Sequence, residues 1–259
     1  MEFGICTGLA RSSAVKSAGW DFVEASCQDV LQATADDAQW TGWQRVSESA
    51  CPVPSANSMV PGSLKITGPK ASPDALAKYM STLMSRAAAI GMKTIVFGSG
   101  GSRNADADFD RKGARAQILL FARMTADLAA RHGIMVVLEA LNRGECNIIN
   151  TLPEAAEYVR AVNHPNFQLL LDSYHFWMED EPVENLRQVA QSIRHVHVAD
   201  RVGRAAPGRS GQADYRPLFA ELKRVGYDGR AAVEASGFDD IETAGPGVLK
   251  FLKEQWSEA

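Results

Sequence analysis

The 259-residue sequence has no surplus of positive charge: 27 Lys+Arg stand against 31 Asp+Glu, a net charge of −4 at pH 7 with histidine neutral. That balance argues against a nucleic-acid partner held through a basic surface. Long apolar runs are absent as well. Stretches such as Ile134 to Leu138 and Leu169 to Leu171 fall far short of the roughly 20 residues that a membrane span needs, so no membrane partner is expected. The four cysteines, Cys6, Cys27, Cys51 and Cys146, form no C-x-x-C pair and have no histidine at zinc-finger spacing, which leaves free structural thiols. Gly4, Gly8 and Gly19 have the wrong spacing for a dinucleotide-binding G-x-G-x-x-G. Gly98-Ser99-Gly100-Gly101 lacks the Lys-Ser/Thr ending of a P-loop, and Ser210 and Ser236 lack the G-x-S-x-G elbow of a hydrolase. The N-terminus, Met1-Glu2-Phe3-Gly4-Ile5, shows neither the positive charge nor the apolar stretch of a secretory signal, and the expected location is cytoplasmic.

What is present is ample material for a core, with 46% apolar and 22% charged residues. Short apolar runs alternate with longer segments of helical period from one terminus to the other, the pattern of repeated βα units. Strands are expected at Phe3 to Cys6, Phe22 to Ser26, Pro52 to Met59, Thr94 to Phe97, Ile134 to Glu139, Gln168 to Asp172, Ile193 to Ala199 and Ala231 to Ala235. Among the intervening helices, one starts at Ser72-Pro73, one runs from about Phe109 to His132, and one is capped by Thr151 with Pro153 and Glu154 in its first turn. The last helix, near Gly247 to Trp256, could pack through Phe251, Leu252 and Trp256 on the barrel or on a second subunit, so a homo-oligomer stays open. With eight such units and no Pro/Ser-rich linker or charge block at which to divide them, residues 1–259 are expected to form one domain, a closed α/β (β/α)8 TIM barrel.

Four successive strands carry a metal-competent side chain at or near their ends: Glu139, Asp172, His197 and Glu234. Their separations of 33, 25 and 37 residues are each close to one βα repeat, so in a barrel all four can converge at the C-terminal mouth, where such folds place their sites. Three carboxylates and one imidazole are a hard, mostly oxygen ligand set suited to one divalent ion, Mn²⁺ first, with Mg²⁺ or Co²⁺ as alternatives. Asn142, Arg143, Glu145 and His175 lie just beyond these positions as natural substrate contacts. Of the two histidines flanking Val196, His197 is read as pointing into the barrel and His195 as packing against the helix layer. Lys65 and Arg103, after the third and fourth strands, read either as phosphate or carboxylate contacts or as solvated loop charges.

The strings Leu138-Glu139-Ala140-Leu141-Asn142-Arg143-Gly144-Glu145, Leu171-Asp172-Ser173-Tyr174-His175, His195-Val196-His197-Val198-Ala199-Asp200 and Gly226-Tyr227-Asp228-Gly229 running to Val233-Glu234 resemble those of the xylose-isomerase-like sugar isomerases and epimerases. Within that superfamily the sequence is most similar to the ketose (tagatose/psicose) 3-epimerase branch, with the matching motifs in its second half. The resemblance implies a small-molecule sugar substrate and a metal held by Glu139, Asp172, His197 and Glu234. It also implies that Glu139 and Glu234 form the proton-transferring pair on opposite faces of the substrate carbon. Glu145 and His175 match substrate-contacting positions, and the substrate-binding arginine corresponds to Arg204. The segment Asp200 to Gly208 is one residue longer than the usual pattern, which keeps Arg201 as the alternative.

The implied reaction is 3-epimerisation of a ketose or keto-sugar: proton loss beside a carbonyl gives an enediolate, the metal stabilises its charge, and two carboxylates on opposite faces invert the centre. If a leaving group lies β to the carbanion, the same first step leads to a dehydratase or lyase, including one acting on 3-keto-glycosides. Cys6-Thr7-Gly8-Leu9 stands where ketohexose epimerases carry aromatics that pack on the sugar, so a different or bulkier substrate is expected, with Phe176 and Trp177 as a substitute apolar wall or as plain helix contacts. A non-catalytic sugar-binding barrel and an apurinic-endonuclease relative are the remaining readings. The second would need further histidines on the first four strands, and the five present are His132, His164, His175, His195 and His197.

Overall fold

Parallel strands that are covered on both faces need apolar side chains outside and a filled interior, and the short runs of this sequence supply both. The computed structural model describes residues 1–259. Its strands are β1 (Glu2–Cys6), β2 (Phe22–Ser26), β3 (Ser55–Asn57), β4 (Thr94–Phe97), β5 (Met135–Glu139), β6 (Phe167–Asp172), β7 (Ile193–Val198) and β8 (Arg230–Val233). They pair in sequence order, all parallel, and β8 closes on β1. The chain is a (β/α)8 barrel.

β3 is shorter than the run Pro52 to Met59 suggests. Pro52 and Pro54 have no N–H to give to a ladder, although their carbonyls accept from Val23 N–H (3.0 Å) and Lys93 N–H (2.8 Å). After β2 two short pieces, Cys27–Val30 and Gly42–Ser47, replace a full helix. Gly42 lies so close to the Val30 carbonyl that no side chain fits, and Trp40 Nε1–H donates to the same carbonyl at 2.8 Å. Pro73–Ala89 starts behind Ser72 and Leu152–Val162 behind Thr151 as expected, while Arg111–Arg131 starts behind Asp110, two residues after the expected Phe109; each cap accepts from an N–H of the first turn.

The final helix, Ile241–Glu258, buries Val248, Leu249 and Leu252. The Phe251 ring lies 6.1 Å from Tyr215 and that of Trp256 5.4 Å from Phe219, so these aromatics pack on their own barrel. No helix is long and apolar enough to cross a membrane.

Side chains alternate faces along each strand, so Val137 lies below Glu139 and Leu170 below Asp172. Val96, Val137 and Leu170 form a small buried cluster of their own, apart from the main core between barrel and helices. This apolar cluster is the floor of the polar mouth on the β4 to β6 side.

Candidate functional site

Strand register assembles the mouth. Asp172 on β6 is the direct partner of His197 on β7, Glu139 ends β5 beside β6, and Glu234 follows β8, its N–H still donating to Val198 O at 3.1 Å. His197 Nδ1 lies 3.3 Å from Glu139 Oε1, 3.4 Å from Glu234 Oε2 and 3.9 Å from Asp172 Oδ2. One donor atom from each of the four lies within 4.8 Å of all the others. Glu139, Asp172 and His197 are buried, while the Glu234 side chain is a quarter exposed. Three hard oxygens and one imidazole nitrogen facing a common point form a set that a divalent cation would fit.

The backbone makes room for this cluster. Gly98, just past β4, faces Glu139 Oε2 so closely that even a methyl group would collide with it. Arg103 is fully buried and donates to Phe97 O (3.1 Å) and Glu139 O (2.8 Å), tying the ends of β4 and β5 together. The Gly98-Ser99-Gly100-Gly101 turn is therefore a wall of the site: it lines the mouth cavity, and Ser99 Oγ accepts from Val60 N–H at 3.0 Å.

That cavity, of about 250 Å³, is bordered by Asn57, Glu139, Glu145, His175, Arg204 and Glu234 among others. Asn57 Nδ2–H donates to Glu234 Oε1 at 3.0 Å. Arg204 donates through Nε to Glu234 O (3.1 Å) and through its two terminal nitrogens to the carboxylates of Glu234 and Glu145, and its guanidinium lies 4.8 Å over the Tyr174 ring. Its backbone is left-handed (φ 48°), held by Ser236 N–H to the Arg204 carbonyl at 2.8 Å. His175 Nδ1 accepts from Asn142 N–H (3.1 Å), which leaves its Nε2 as the protonated nitrogen, and that buried atom has no hydrogen-bond partner.

Burial pushes the Glu139 carboxyl up, with the nearby Glu234 and Asp172 charges adding to the effect. Burial, assisted by Glu234, also raises Asp172 to about 6. For Glu234 burial acts in the same upward sense, but the charges of His197 and Arg204 outweigh it and hold the group at about 2. Burial disfavours a charged His197, yet Glu24 and Glu234 override it and keep the imidazole well above its ordinary value. His175 is lowered by burial.

The family model for the xylose isomerase-like TIM barrel matches residues 13–255. The chain belongs to this family. A ketose 3-epimerase of Arthrobacter globiformis is 36% identical over 134 residues, 51% of this chain and 46% of that protein. A 3-dehydro-D-guloside 4-epimerase of Escherichia coli is 36% identical over 126 residues, 47% of this chain and 46% of its own length. The chain thus spans about half the length of the curated relatives it matches. A D-psicose 3-epimerase from Clostridium cellulolyticum, solved with D-tagatose, shares the fold across 99% of both chains, with a TM-score of 0.84 at 20% identity.

Within this xylose isomerase-like barrel all seven site residues expected from the sequence meet at the same mouth. Several neighbouring expectations need correction. His195 does not pack against the helix layer: residues two apart on a strand share a face, so His195 and His197 both point inward and Val196 faces the helices. Both Nε2 atoms reach Glu24 on β2, at 2.6 and 2.7 Å. Arg201 points away from the mouth and pairs with Asp180 (2.7 Å), which leaves Arg204 as the arginine of the site. Phe176 is buried and Trp177 packs on Tyr215 with ring centres 5.0 Å apart; neither borders the cavity. Arg103 is no solvated loop charge, and Lys65 donates to Gly101 O at 2.6 Å.

Glu24, Asn57 and Asp200 are missing from the sequence-based set of site residues. Asp200 is fully buried and accepts from Tyr215 Oη–H (2.8 Å), Gly208 N–H (3.0 Å) and Ser210 N–H (2.9 Å), fastening the loop that carries Arg204. For Glu24 a signal was available: an acid in the middle of Phe22-Val23-Glu24-Ala25-Ser26, a strand buried along most of its length, must have a partner.

Proposed function

We propose that this protein is a divalent-metal-dependent sugar epimerase that inverts a carbon next to the carbonyl of a ketose or keto-sugar, 3-epimerisation being the first choice. The observation that carries the reading is the pair Glu139 and Glu234, 3.3 and 3.4 Å from the same His197 nitrogen and bordering one small cavity. The relatives named above, which act as ketose 3-epimerase and 3-dehydro-D-guloside 4-epimerase, support the substrate class.

Glu139, Asp172, His197 and Glu234 would hold the cation. When bound, it would supply Lewis acidity that stabilises the negative charge developing on the enediolate. Glu139 and Glu234 remove the proton from one face of that carbon and return one to the other, exchanging roles with the direction of reaction. His175 donates from Nε2 to a substrate oxygen. Arg204 and Glu145 hold hydroxyls at the far end of the sugar.

The deciding experiment is proton exchange. Protein loaded with Mn²⁺ is incubated in D₂O with ketoses, keto-sugars and 3-keto-glycosides and followed by NMR, before and after chelation. Deuterium at carbon 3 together with a new epimer, lost on chelation and restored by Mn²⁺ or Co²⁺, is the expected result. Deuterium at carbon 1 or 2 with an aldose product would replace epimerase by aldose–ketose isomerase, and loss of water or an aglycone would replace it by lyase. Full exchange in the chelated protein would overturn the metal-dependent reading.

A further inference from the structure

The interior of the barrel holds a second polar cluster directly beneath the mouth, and nothing in the reaction scheme above uses it. Glu24 projects inward from the middle of β2 and is 1% exposed. Its Oε1 lies 2.7 Å from His197 Nε2, and its Oε2 lies 2.6 Å from His195 Nε2 and 2.7 Å from Ser55 Oγ, whose hydroxyl donates to it. His195 and His197 stand edge to face, ring centres 5.4 Å apart. Ser55 is fully buried.

The geometry divides the two nitrogens of His197 between two tasks. Nε2 faces Glu24, and Nδ1 faces Glu139, Asp172 and Glu234. A neutral imidazole carries one proton; the 2.7 Å contact of Nε2 with Glu24 is shorter than any that Nδ1 makes, the nearest being 3.3 Å to Glu139, and with a cation on the Nδ1 side the proton stays on Nε2 and Nδ1 presents its lone pair. We propose that Glu24 is a positioning residue that holds His197 with its proton on Nε2 and its Nδ1 lone pair aimed at the carboxylate cluster, while His195 and Ser55 fix Glu24 in turn. This inference rests on the preceding reading of those four residues as a cation site.

The role follows from hydrogen-bond counting. As a carboxylate, Glu24 accepts from three donors, one on each of three side chains, and needs nothing in return. A glutamine of the same shape has only one accepting oxygen. If that oxygen meets His197, its NH₂ group meets His195 and Ser55, which must both turn into acceptors. If it meets the other two, its NH₂ points at His197 Nε2, and the His197 proton moves to Nδ1, where it blocks the lone pair. Either arrangement removes the negative charge that favours an electron-rich Nδ1. Carboxylates that orient a ligating histidine in this way are worth roughly 10- to 100-fold in metal affinity.

The test measures Mn²⁺ binding directly, by the EPR signal of the free ion during titration, on the full-length protein and on Glu24→Gln. The expected result is a dissociation constant about 10- to 100-fold higher in the variant, per mole of folded protein judged by circular dichroism. Equal affinity in the two proteins would overturn the proposal while leaving the cation site intact. No Mn²⁺ binding by the unaltered protein would remove the site itself, a different failure. A second measurement needs no variant: histidine-selective ¹⁵N NMR of the Mg²⁺-loaded protein should show His197 with its proton on Nε2 and none on Nδ1. A proton found on Nδ1 would refute the inference, and a purely structural Glu24 would leave the affinity unmoved in the variant.

Discussion

Replacing Asp200 by alanine should loosen the loop that brings Arg204 to the mouth while the barrel stays closed. Asp200 is fully buried and serves three donors, of which Tyr215 is itself fully buried and Gly208 and Ser210 are half-exposed. Without the carboxylate, the Tyr215 hydroxyl is left unsatisfied at a cost of about 1–3 kcal/mol. The two backbone N–H groups can turn to water, so each loses about 0.5–1.5 kcal/mol. The total is about 4 kcal/mol, which for a chain of this size corresponds to a drop in Tm of about 10 °C. Differential scanning calorimetry measures it, with Tyr215→Phe as a milder companion that removes one donor and should cost about 1 kcal/mol. Because Arg204 lies between Asp200 and Gly208, the alanine variant should also raise KM more than it lowers kcat. A Tm within 3 °C of the unaltered protein would refute the energetic reasoning, and a large drop with KM unchanged would refute the link to Arg204.

Three other perturbations address the mouth. Glu139→Gln and Glu234→Gln should each reduce deuterium exchange by about 10²- to 10⁴-fold with the circular dichroism spectrum preserved; near-normal rates in both would remove the acid/base assignment. Arg204→Ala should raise KM several-fold in steady-state assays, whereas Arg201→Ala should match the unaltered protein because its partner is Asp180 outside the cavity; the reverse order of effects would contradict the placement. Gly98→Ala should force the Glu139 carboxylate aside and lower kcat by about 10²-fold, the scale of a roughly 1 Å misplacement. A crystal structure of that variant with Glu139 unmoved would count against the close-packing argument.

The sequence made the barrel legible because each βα unit ends in its own punctuation. β2, entered through Gly19-Trp20-Asp21, and β4, leaving into Gly98, match the expected ranges residue for residue. Where proline carbonyls continue a ladder that their nitrogens cannot, as at Pro52 and Pro54, apolar pattern overstated the strand. The cation-competent residues were legible because four of them recur at the ends of consecutive strands. Glu24 and Asn57 do not recur in that way. Each lies alone on its strand, and its meaning depends on a partner about 170 residues away, Glu24 on His195 and His197 and Asn57 on Glu234. His195 was misplaced for a different reason: the two-residue period of a strand puts it on the same side as His197, and the expectation ignored that.

The mouth also divides its labour along the chain. Every side chain of the proposed cation and proton-transfer set comes from β5 to β8 or the residue after β8, while β1 to β4 contribute a buttress in Glu24, a brace in Asn57 and a wall in Gly98. The proposed ligands are thereby written in one half of the closed ring and their supports in the other. Loops after β1 and β2 carry none of the proposed ligands and can be lengthened, shortened or given aromatic residues, whereas the turn after β4 holds Glu139 in place through Gly98. A scaffold arranged in this manner can keep one chemistry and change the sugar it admits.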